Sequence, residues 1–168
     1  MPIVTNADGL TIKLGTSEAT VGRGGEYTHT TGVHVYELAV NLVDVTSATA
    51  GATVLDYNAT LPKGARIEQV QVITTTAVTG SGATLNFGLI RSDMSTELDY
   101  DGLGKAAALT QTAMADVGNT LTFVDGTSNA GALVGTVLAY NGTLVADYDT
   151  AAFEAGRISI RIQYSFPL

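Results

Sequence analysis

The 168-residue sequence has no cysteine and no tryptophan, few basic residues and no long apolar run. Without cysteine, disulfides, thiolate metal ligands and a cysteine nucleophile are excluded. The apolar runs are far shorter than the roughly 20 residues that cross a bilayer, so we expect no membrane partner. The amino terminus lacks a basic segment followed by an apolar stretch, and we expect no targeting peptide.

The sequence also has few basic residues. There are 8 Lys and Arg against 16 Asp and Glu, which gives a formal net charge of -8. A surface of this sign repels a phosphate backbone, so a nucleic-acid partner is not expected.

What the sequence does contain is typical of strands. Apolar residues make up 45% of the chain and charged residues only 14%, so the chain can bury a core. Threonine, valine, alanine and glycine dominate, and the usual helix-surface residues are scarce. This composition favours strands over helices.

Period-two alternation marks the clearest strands. Tyr36, Leu38 and Val40 alternate with polar or small residues, and Ile158 to Phe166 do so over a longer stretch. The other predicted strands are Thr53 to Leu61, Arg66 to Val78 with a bulge near Glu68, Leu85 to Leu89, Thr120 to Val124, Val134 to Tyr140 and Thr143 to Tyr148.

Three local features are also predicted. The loop of residues 79–82 is short enough for a hairpin between its flanking strands, and Asn141-Gly142 favours a second hairpin with a type I′ turn. Alanine-rich residues 105–115 favour one short helix that stops at Gly118.

The predicted fold is all-β, an antiparallel β-sandwich or jelly roll with that one short helix. Residues 1–32 are rich in glycine and threonine and are interpreted as an extended N-terminal arm that depends on a neighbouring surface. Residues 33–168 are expected to form the β-sandwich domain.

No catalytic set can be assembled from the sequence. His29 and His34 are the two histidines, and neither belongs to a nucleophile motif, so we interpret them as structural or contact residues. The glycine-rich runs 22–25 and 102–105 lack the pattern of a phosphate loop and are assigned to a turn and to the start of the helix. We therefore expect no enzyme activity and no cofactor.

Two binding alternatives remain open. The acidic residues Asp93, Glu97, Asp99 and Asp101 carry oxygen ligands for Ca²⁺, but solvation or a helix dipole explains them better, and no metal is predicted. An aromatic platform for carbohydrate would have to use tyrosines near turns. These are Tyr57, Tyr100, Tyr140 and Tyr148.

Three stretches resemble small structural proteins of tailed bacteriophages. They are Asp8-Gly9-Leu10-Thr11-Ile12-Lys13-Leu14-Gly15 leading into Gly22 to Tyr27, Leu61-Pro62-Lys63-Gly64-Ala65-Arg66-Ile67, and Phe153-Glu154-Ala155-Gly156-Arg157-Ile158. The resemblance implies a virion structural protein, namely a capsid decoration or cement protein. Such proteins commonly form homotrimers on the outer capsid surface of an HK97-type shell, with the major capsid protein as partner.

We hypothesise that the arm contacts the shell or a neighbouring subunit by strand addition. The candidate contact residues are Leu10, Ile12, Leu14, Arg23 and Tyr27. The alternative is a phage tail, head-fibre or adhesin module that binds a host surface glycan or protein, because such modules are also β-rich and acidic.

Overall fold

The structure is a computed structural model that describes residues 3–5, 11–14, 22–28, 32–57, 60–127 and 130–167, with the backbone alone in the first three ranges. In chain order the strands are β1 (Ile3–Thr5), β2 (Thr11–Leu14), β3 (Gly22–Thr28), β4 (Val33–Asn41), β5 (Thr53–Val54), β6 (Thr60–Leu61), β7 (Arg66–Thr79), β8 (Leu85–Arg91), β9 (Glu97–Gly104), β10 (Thr120–Val124), β11 (Gly142–Tyr148) and β12 (Ala155–Ser165). Two 3₁₀ helices, Leu42–Asp44 and Ala48–Ala50, follow β4.

These strands form two antiparallel sheets. The larger sheet has the order β1-β2-β3-β4-β12-β7-β10, and the smaller one has the order β5-β11-β8-β9, with β6 also paired to β11. The described residues contain no helix with the length and apolar character needed to span a membrane. The all-β sandwich prediction is confirmed.

One hydrophobic core lies between the sheets. In the larger sheet it takes alternate residues of β4 and β12, such as Leu38 and Ile160, which are fully buried. In the smaller sheet it takes Leu85, Phe87 and Leu89 of β8. Alternation along a strand places every second side chain on one face, so the period-two pattern of the sequence is the pattern of this core.

The predicted bulge near Glu68 is confirmed. Gln163 of β12 pairs with Gln69 of β7, but the next residue, Tyr164, pairs with Ile67. Glu68 is therefore the extra residue, and this shift lets both Ile67 and Val70 point into the core although they are three positions apart.

The predicted pairing of β7 with β8 is wrong. β7 lies between β12 and β10 in the larger sheet, whereas β8 lies between β11 and β9 in the smaller one. The turn at residues 80–83 therefore crosses between sheets instead of closing a hairpin. Gly80 supports the crossing with φ +133, and an added Cβ there would lie 2.8 Å from the Ala152 carbonyl oxygen.

The predicted hairpin at Asn141-Gly142 is also wrong. Residues 134–140 form turns and bends with a single β-bridge from Val137 to Arg66, and β11 pairs with β5, β6 and β8. A type I′ turn needs positive φ at both central residues, and neither Asn141 nor Gly142 has it. The Asn141 side chain instead accepts a hydrogen bond from the Lys63 N–H at 2.8 Å, which joins two loops.

No α-helix forms in the described chain, so the predicted helix at residues 105–115 is wrong. Two single turns take its place, with hydrogen bonds from the Leu109 N–H to the Lys105 carbonyl (3.2 Å) and from the Met114 N–H to the Thr110 carbonyl (3.2 Å). Between them Thr110 forms a β-bridge with Thr84. That bridge breaks the helical ladder, and buried Leu109 and Met114 tie both turns to the core.

The three N-terminal strands extend the larger sheet beyond β4. β3 pairs with β4 from Gly22 against Val40 to Thr28 against His34, and β2 and β1 follow outward. The extended backbone expected of residues 1–32 is thus present in the described parts as paired strands. The division into an arm and a domain at residue 32 stays a prediction.

Gly88 of β8 gives a test of the sandwich packing. A Cβ there would lie 1.9 Å from the Asp99 carbonyl oxygen and 2.6 Å from the Tyr100 carbonyl carbon. Backbone atoms yield less than a side-chain end, so we expect Gly88→Ala to lower the free energy of unfolding by about 3 kcal/mol. Urea titration measures this.

The matched control is Gly126→Ala. A Cβ at Gly126 meets no atom within 4 Å, and φ is +79, so only the left-handed backbone penalises it, by about 1 kcal/mol. Equal losses in the two variants would contradict the packing described for β8 and β9.

Candidate functional site

His34 lies in an aromatic cluster at one end of the sandwich. Its ring stacks on Tyr164 with centroids 4.9 Å apart and meets the edge of Phe166 at 5.2 Å. His29 lies outside the described residues. Packing against two aromatic rings agrees with the structural interpretation of His34.

The two glycine-rich runs are parts of strands. Residues 22–25 belong to β3, and Gly102 and Gly104 end β9. A Cβ on Gly104 would lie 2.3 Å from the Phe87 ring, so this glycine permits close packing. The assignment of residues 22–25 to a turn and of residues 102–105 to the start of a helix is therefore wrong, since β3 pairs with β4 and no helix follows β9.

The face of the larger sheet that points away from the core is called here the outer face. Its residues are the half of the alternating pattern in β4, β12, β7 and β10 that does not enter the core. Cross-strand register arranges them in rows of Ala39, Ser159, Ile73 and Thr120, of Glu37, Arg161, Gln71 and Thr122, and of Val35, Gln163, Gln69 and Val124.

Charges at the centre of the outer face are paired with one another. The Glu37 carboxylate accepts hydrogen bonds from the Ser159 hydroxyl at 2.8 Å and from Arg161 Nη2 at 3.2 Å. Because Glu37 and Arg161 sit opposite each other on neighbouring strands, the register itself brings the ion pair together.

A second charge network lies at one end of the outer face. The Glu68 carboxylate forms an ion pair with Arg66 and accepts a hydrogen bond from the Ser165 hydroxyl at 2.6 Å. Arg66 also lies 3.6 Å from the Asp125 carboxylate. The bulge at Glu68 gives this carboxylate its place between Arg66 and Ser165.

Four of the five predicted contact positions fall in the rows of the outer face. Ile12 pairs with Tyr27, which pairs with Val35. Through the same ladders position 14 belongs to the row of Glu37, and Arg23 pairs with Ala39. Leu10 lies outside the described residues. Backbone register thus brings these positions to one face, while their role as contacts stays a prediction.

Carboxylates gather on the opposite side of the molecule, beside the smaller sheet. Asp147 stands on the face of β11 opposite the core residues Leu144 and Ala146 and is almost fully buried. The Asn86 amide donates a hydrogen bond to its carboxylate at 3.0 Å. Glu97 and Asp101 of β9 are close enough to act on its charge.

Burial and mutual repulsion raise two pKa values in this acidic group. Desolvation raises the pKa of Asp99 to about 6, and the neighbouring carboxyls of Asp101 and Glu97 add to the shift. Desolvation also raises the pKa of Asp147, although the hydrogen bond from Asn86 opposes it. The sequence identified the cluster of residues 93–101 but did not place Asp147 with it, because only the pairing of β11 with β8 brings Asp147 close.

The acidic residues of the described ranges are not grouped as metal ligands. No set of three or more potential ligands in the described ranges is placed to hold an ion. Asp93, the first residue of the predicted cluster, accepts from the Ser95 hydroxyl at 2.6 Å and from the Ser95 N–H at 3.0 Å. These contacts stabilise the turn before β9 and lower the pKa of Asp93.

The tyrosines considered for carbohydrate binding differ in exposure. Tyr57 is 68% exposed and Tyr140 45%, whereas Tyr100 and Tyr148 are half-buried. The Arg91 guanidinium lies 3.6 Å from the centroid of the Tyr140 ring, so a cation–π contact already occupies one side of that ring.

Comparison with known proteins finds similarity in fold. No protein-family model matches the chain, and no curated protein matches its sequence. A chain of the cyanophage Pam1 capsid asymmetric unit is similar in structure, with a TM-score of 0.53, 19% identity and 91% of each chain covered. A chain of the acidic stable capsid structure of Helicobacter pylori bacteriophage KHP30 has a TM-score of 0.51 and 14% identity, covering 86% of this chain and 94% of that one.

Both likenesses extend over most of the chain at low identity, so they establish a shared fold. The resemblance to phage virion proteins that three sequence stretches indicated is thus found again in the fold.

The acidic group predicts how stability depends on pH. The pKa of Asp99 in the folded protein, about 6, is higher than that of an unfolded aspartate, about 3.9. The folded state therefore binds the proton more tightly. The resulting stabilisation is complete below a pH of about 4 and is lost as the pH rises through about 6.

We expect Asp99→Asn to be more stable than the natural protein at pH 7.5 and to reduce the gain in stability between pH 7.5 and 5. Thermal unfolding at both pH values measures this. Asp93→Asn is the control, because the pKa of Asp93 is lowered and not raised. An unchanged pH dependence in Asp99→Asn would refute the assignment.

Proposed function

We propose that this protein is a virion structural protein that decorates the outer surface of a phage capsid and stabilises the shell. The observation that carries the proposal is the shared fold with a chain of a capsid asymmetric unit over 91% of both chains. A second capsid structure with the same likeness supports it. In this proposal the partner is the major capsid protein, and the protein acts without a catalytic site.

The outer face is the proposed contact with the shell. It is wide, because several strands lie side by side, and its central charges are already paired, as in Glu37 with Arg161. A surface with paired charges loses less free energy on desolvation than one with isolated charges. The predicted contact positions Ile12, Leu14, Arg23 and Tyr27 belong to the same face by register.

The acidic group of Glu97, Asp99, Asp101 and Asp147 supports an orientation in which the outer face is turned to the shell. It lies on the side of the sandwich opposite the outer face, so its exposed or half-buried members Glu97, Asp99 and Asp101 keep their contact with solvent when the outer face is on the shell. Clustered carboxylates are costly to bury in a contact but keep a surface soluble. A homotrimer, as the family resemblance implies, would repeat the same contacts and raise the effective concentration of each.

Val35→Glu tests the outer face. Val35 is half-buried in the row of Gln163 and Gln69, and a new carboxylate there must be desolvated when the face is covered. We expect binding to phage particles assembled without this protein to weaken by about tenfold, which corresponds to about 1.4 kcal/mol. Co-sedimentation measures the occupancy.

Thr112→Glu is the matched control, because it adds the same charge on an exposed turn away from the outer face. Equal occupancy for both variants would contradict the proposed contact. Reconstruction of natural particles tests the role itself: many copies over the shell support decoration, whereas a few copies at the tail or a vertex would support the adhesin alternative.

A further inference from the structure

The larger sheet ends in a free strand edge at β10. On one side β10 pairs with β7 over its full length, from Thr120 against Ile73 to Val124 against Gln69. On the other side no strand pairs with it in the described parts of the chain. Its two edge threonines, Thr120 and Thr122, are exposed, and Val124 is 38% exposed.

A hydrogen bond next to the start of β10 shows which backbone groups of this strand point away from β7. The Thr74 N–H donates to the Asn119 carbonyl at 2.9 Å. Since hydrogen-bonded residues recur at every second position of an antiparallel ladder, Leu121 and Phe123 also point their backbone groups at β7. The backbone groups of Thr120, Thr122 and Val124 therefore point away from the sheet.

Most of this free edge has no backbone partner within the described ranges. The Val124 carbonyl accepts from the Thr127 N–H at 3.2 Å, which closes the edge at that end. No backbone hydrogen bond in these ranges joins Thr120 or Thr122 to a residue outside β7. Among the described residues, their outward N–H and C=O groups thus have no backbone partner.

Unlike the free edge of β10, the neighbouring edges of β9 and of the start of β7 are covered by another part of the chain. The Leu133 N–H donates to the Gly102 carbonyl of β9 at 2.8 Å, and Gly104 forms a bridge with Ala130. At the start of β7 the Ile67 N–H donates to the Thr136 carbonyl at 3.1 Å. The loop of residues 130–138 thus covers both of these edges.

The free edge also lacks the usual protection. Edge strands in soluble proteins commonly carry lysine, proline or an inward charge that blocks pairing with another chain. The sequence Thr-Leu-Thr-Phe-Val of β10 has none of these and is rich in strand-forming residues. Such an edge is suited to strand addition.

We infer that the free edge of β10 pairs with β10 of a second copy of this chain, antiparallel about a two-fold axis at Thr122. In this register Thr122 faces Thr122 of the other copy, and their outward N–H and C=O groups bond reciprocally. The same register sets Thr120 opposite Val124 and Leu121 opposite Phe123. The two larger sheets then become one continuous sheet.

Charge favours a second copy as the occupant. The chain carries a net charge of -8, so copies of it repel one another unless they meet at an uncharged surface. Pairing about Thr122 joins uncharged residues only, and the nearest flanking acid, Asp125, falls opposite Asn119. Leu121, which is half-buried in the single chain, gains an apolar neighbour in Phe123 of the other copy.

The contact between the two β10 strands is short, so it forms readily only where copies are held close together. A single strand edge of five residues buries less than the roughly 1,000 Å² of a stable interface, so it is weak between free molecules. Copies held side by side on a shell experience millimolar effective concentrations, at which weak contacts form. The side-by-side arrangement on a shell rests on the proposed function. The pairing itself is a property of the purified protein.

Cysteine cross-linking tests the pairing, because the chain has no cysteine of its own. Facing residues in a hydrogen-bonded pair have Cα atoms about 5.5 Å apart, within reach of a disulfide. We expect Thr122→Cys to cross-link to itself under mild oxidation about tenfold faster than the exposed control Thr112→Cys at equal concentration. Non-reducing electrophoresis of purified protein gives the rates.

The register makes the test specific. Thr120→Cys is expected to link to Val124→Cys in a mixture but to itself only at the rate of the control. Thr122→Lys adds a charge at the two-fold axis. When the Thr120→Cys chain and the Val124→Cys chain both also carry Thr122→Lys, we expect no cross-link between them. Cross-linking of Thr122→Cys at the rate of Thr112→Cys would overturn the inference.

Shell binding separates this inference from the proposed function. If the cysteine variants do not cross-link while the natural protein still binds particles, pairing between copies is refuted and the proposed function stands. If the cysteine variants cross-link as expected but the protein does not bind particles, the proposed function fails and the pairing stands.

Discussion

The double ladder of β12 is the interaction on which the rest of the structure depends. β12 pairs with β4 on one side and β7 on the other over nearly its whole length, so it joins the two halves of the larger sheet. Its inward residues Ile158, Ile160 and Ile162 are fully buried, and each contributes about 1.5–3 kcal/mol. A slip of one residue would turn all three to solvent, so the register is strongly specified.

The register of β12 also creates the outer face. When the isoleucines point inward, Ser159, Arg161 and Gln163 must point outward, and pairing with β4 sets Arg161 beside Glu37. The acidic group beside Asp147 arises in the same way in the smaller sheet, where β11 and β9 flank β8. The sandwich thus separates a face of paired charges from a side on which carboxylates repel one another.

Local patterns predicted the strands well and their partners poorly. Alternation located β4, β7, β8, β10 and β12, and the break in phase at Ile67 located the bulge at Glu68. The two hairpins failed because a short loop permits adjacent pairing but does not require it. The helix failed because alanine propensity is weak beside the burial of Leu109 and Met114 and the bridge at Thr110.

For the candidate site, the sequence by itself determined which side chains of each strand share a face, because side-chain direction alternates with every residue. It therefore identified the polar face of the last strand, and the spacing of the acids located the cluster of residues 93–101, which extends into β9. Only the tertiary structure decided that Glu37 meets Arg161, that Asp147 joins the acidic group and that β10 lies at an edge. These depend on strand partners far apart in the chain, which the packing of the whole core selects and a local period cannot encode.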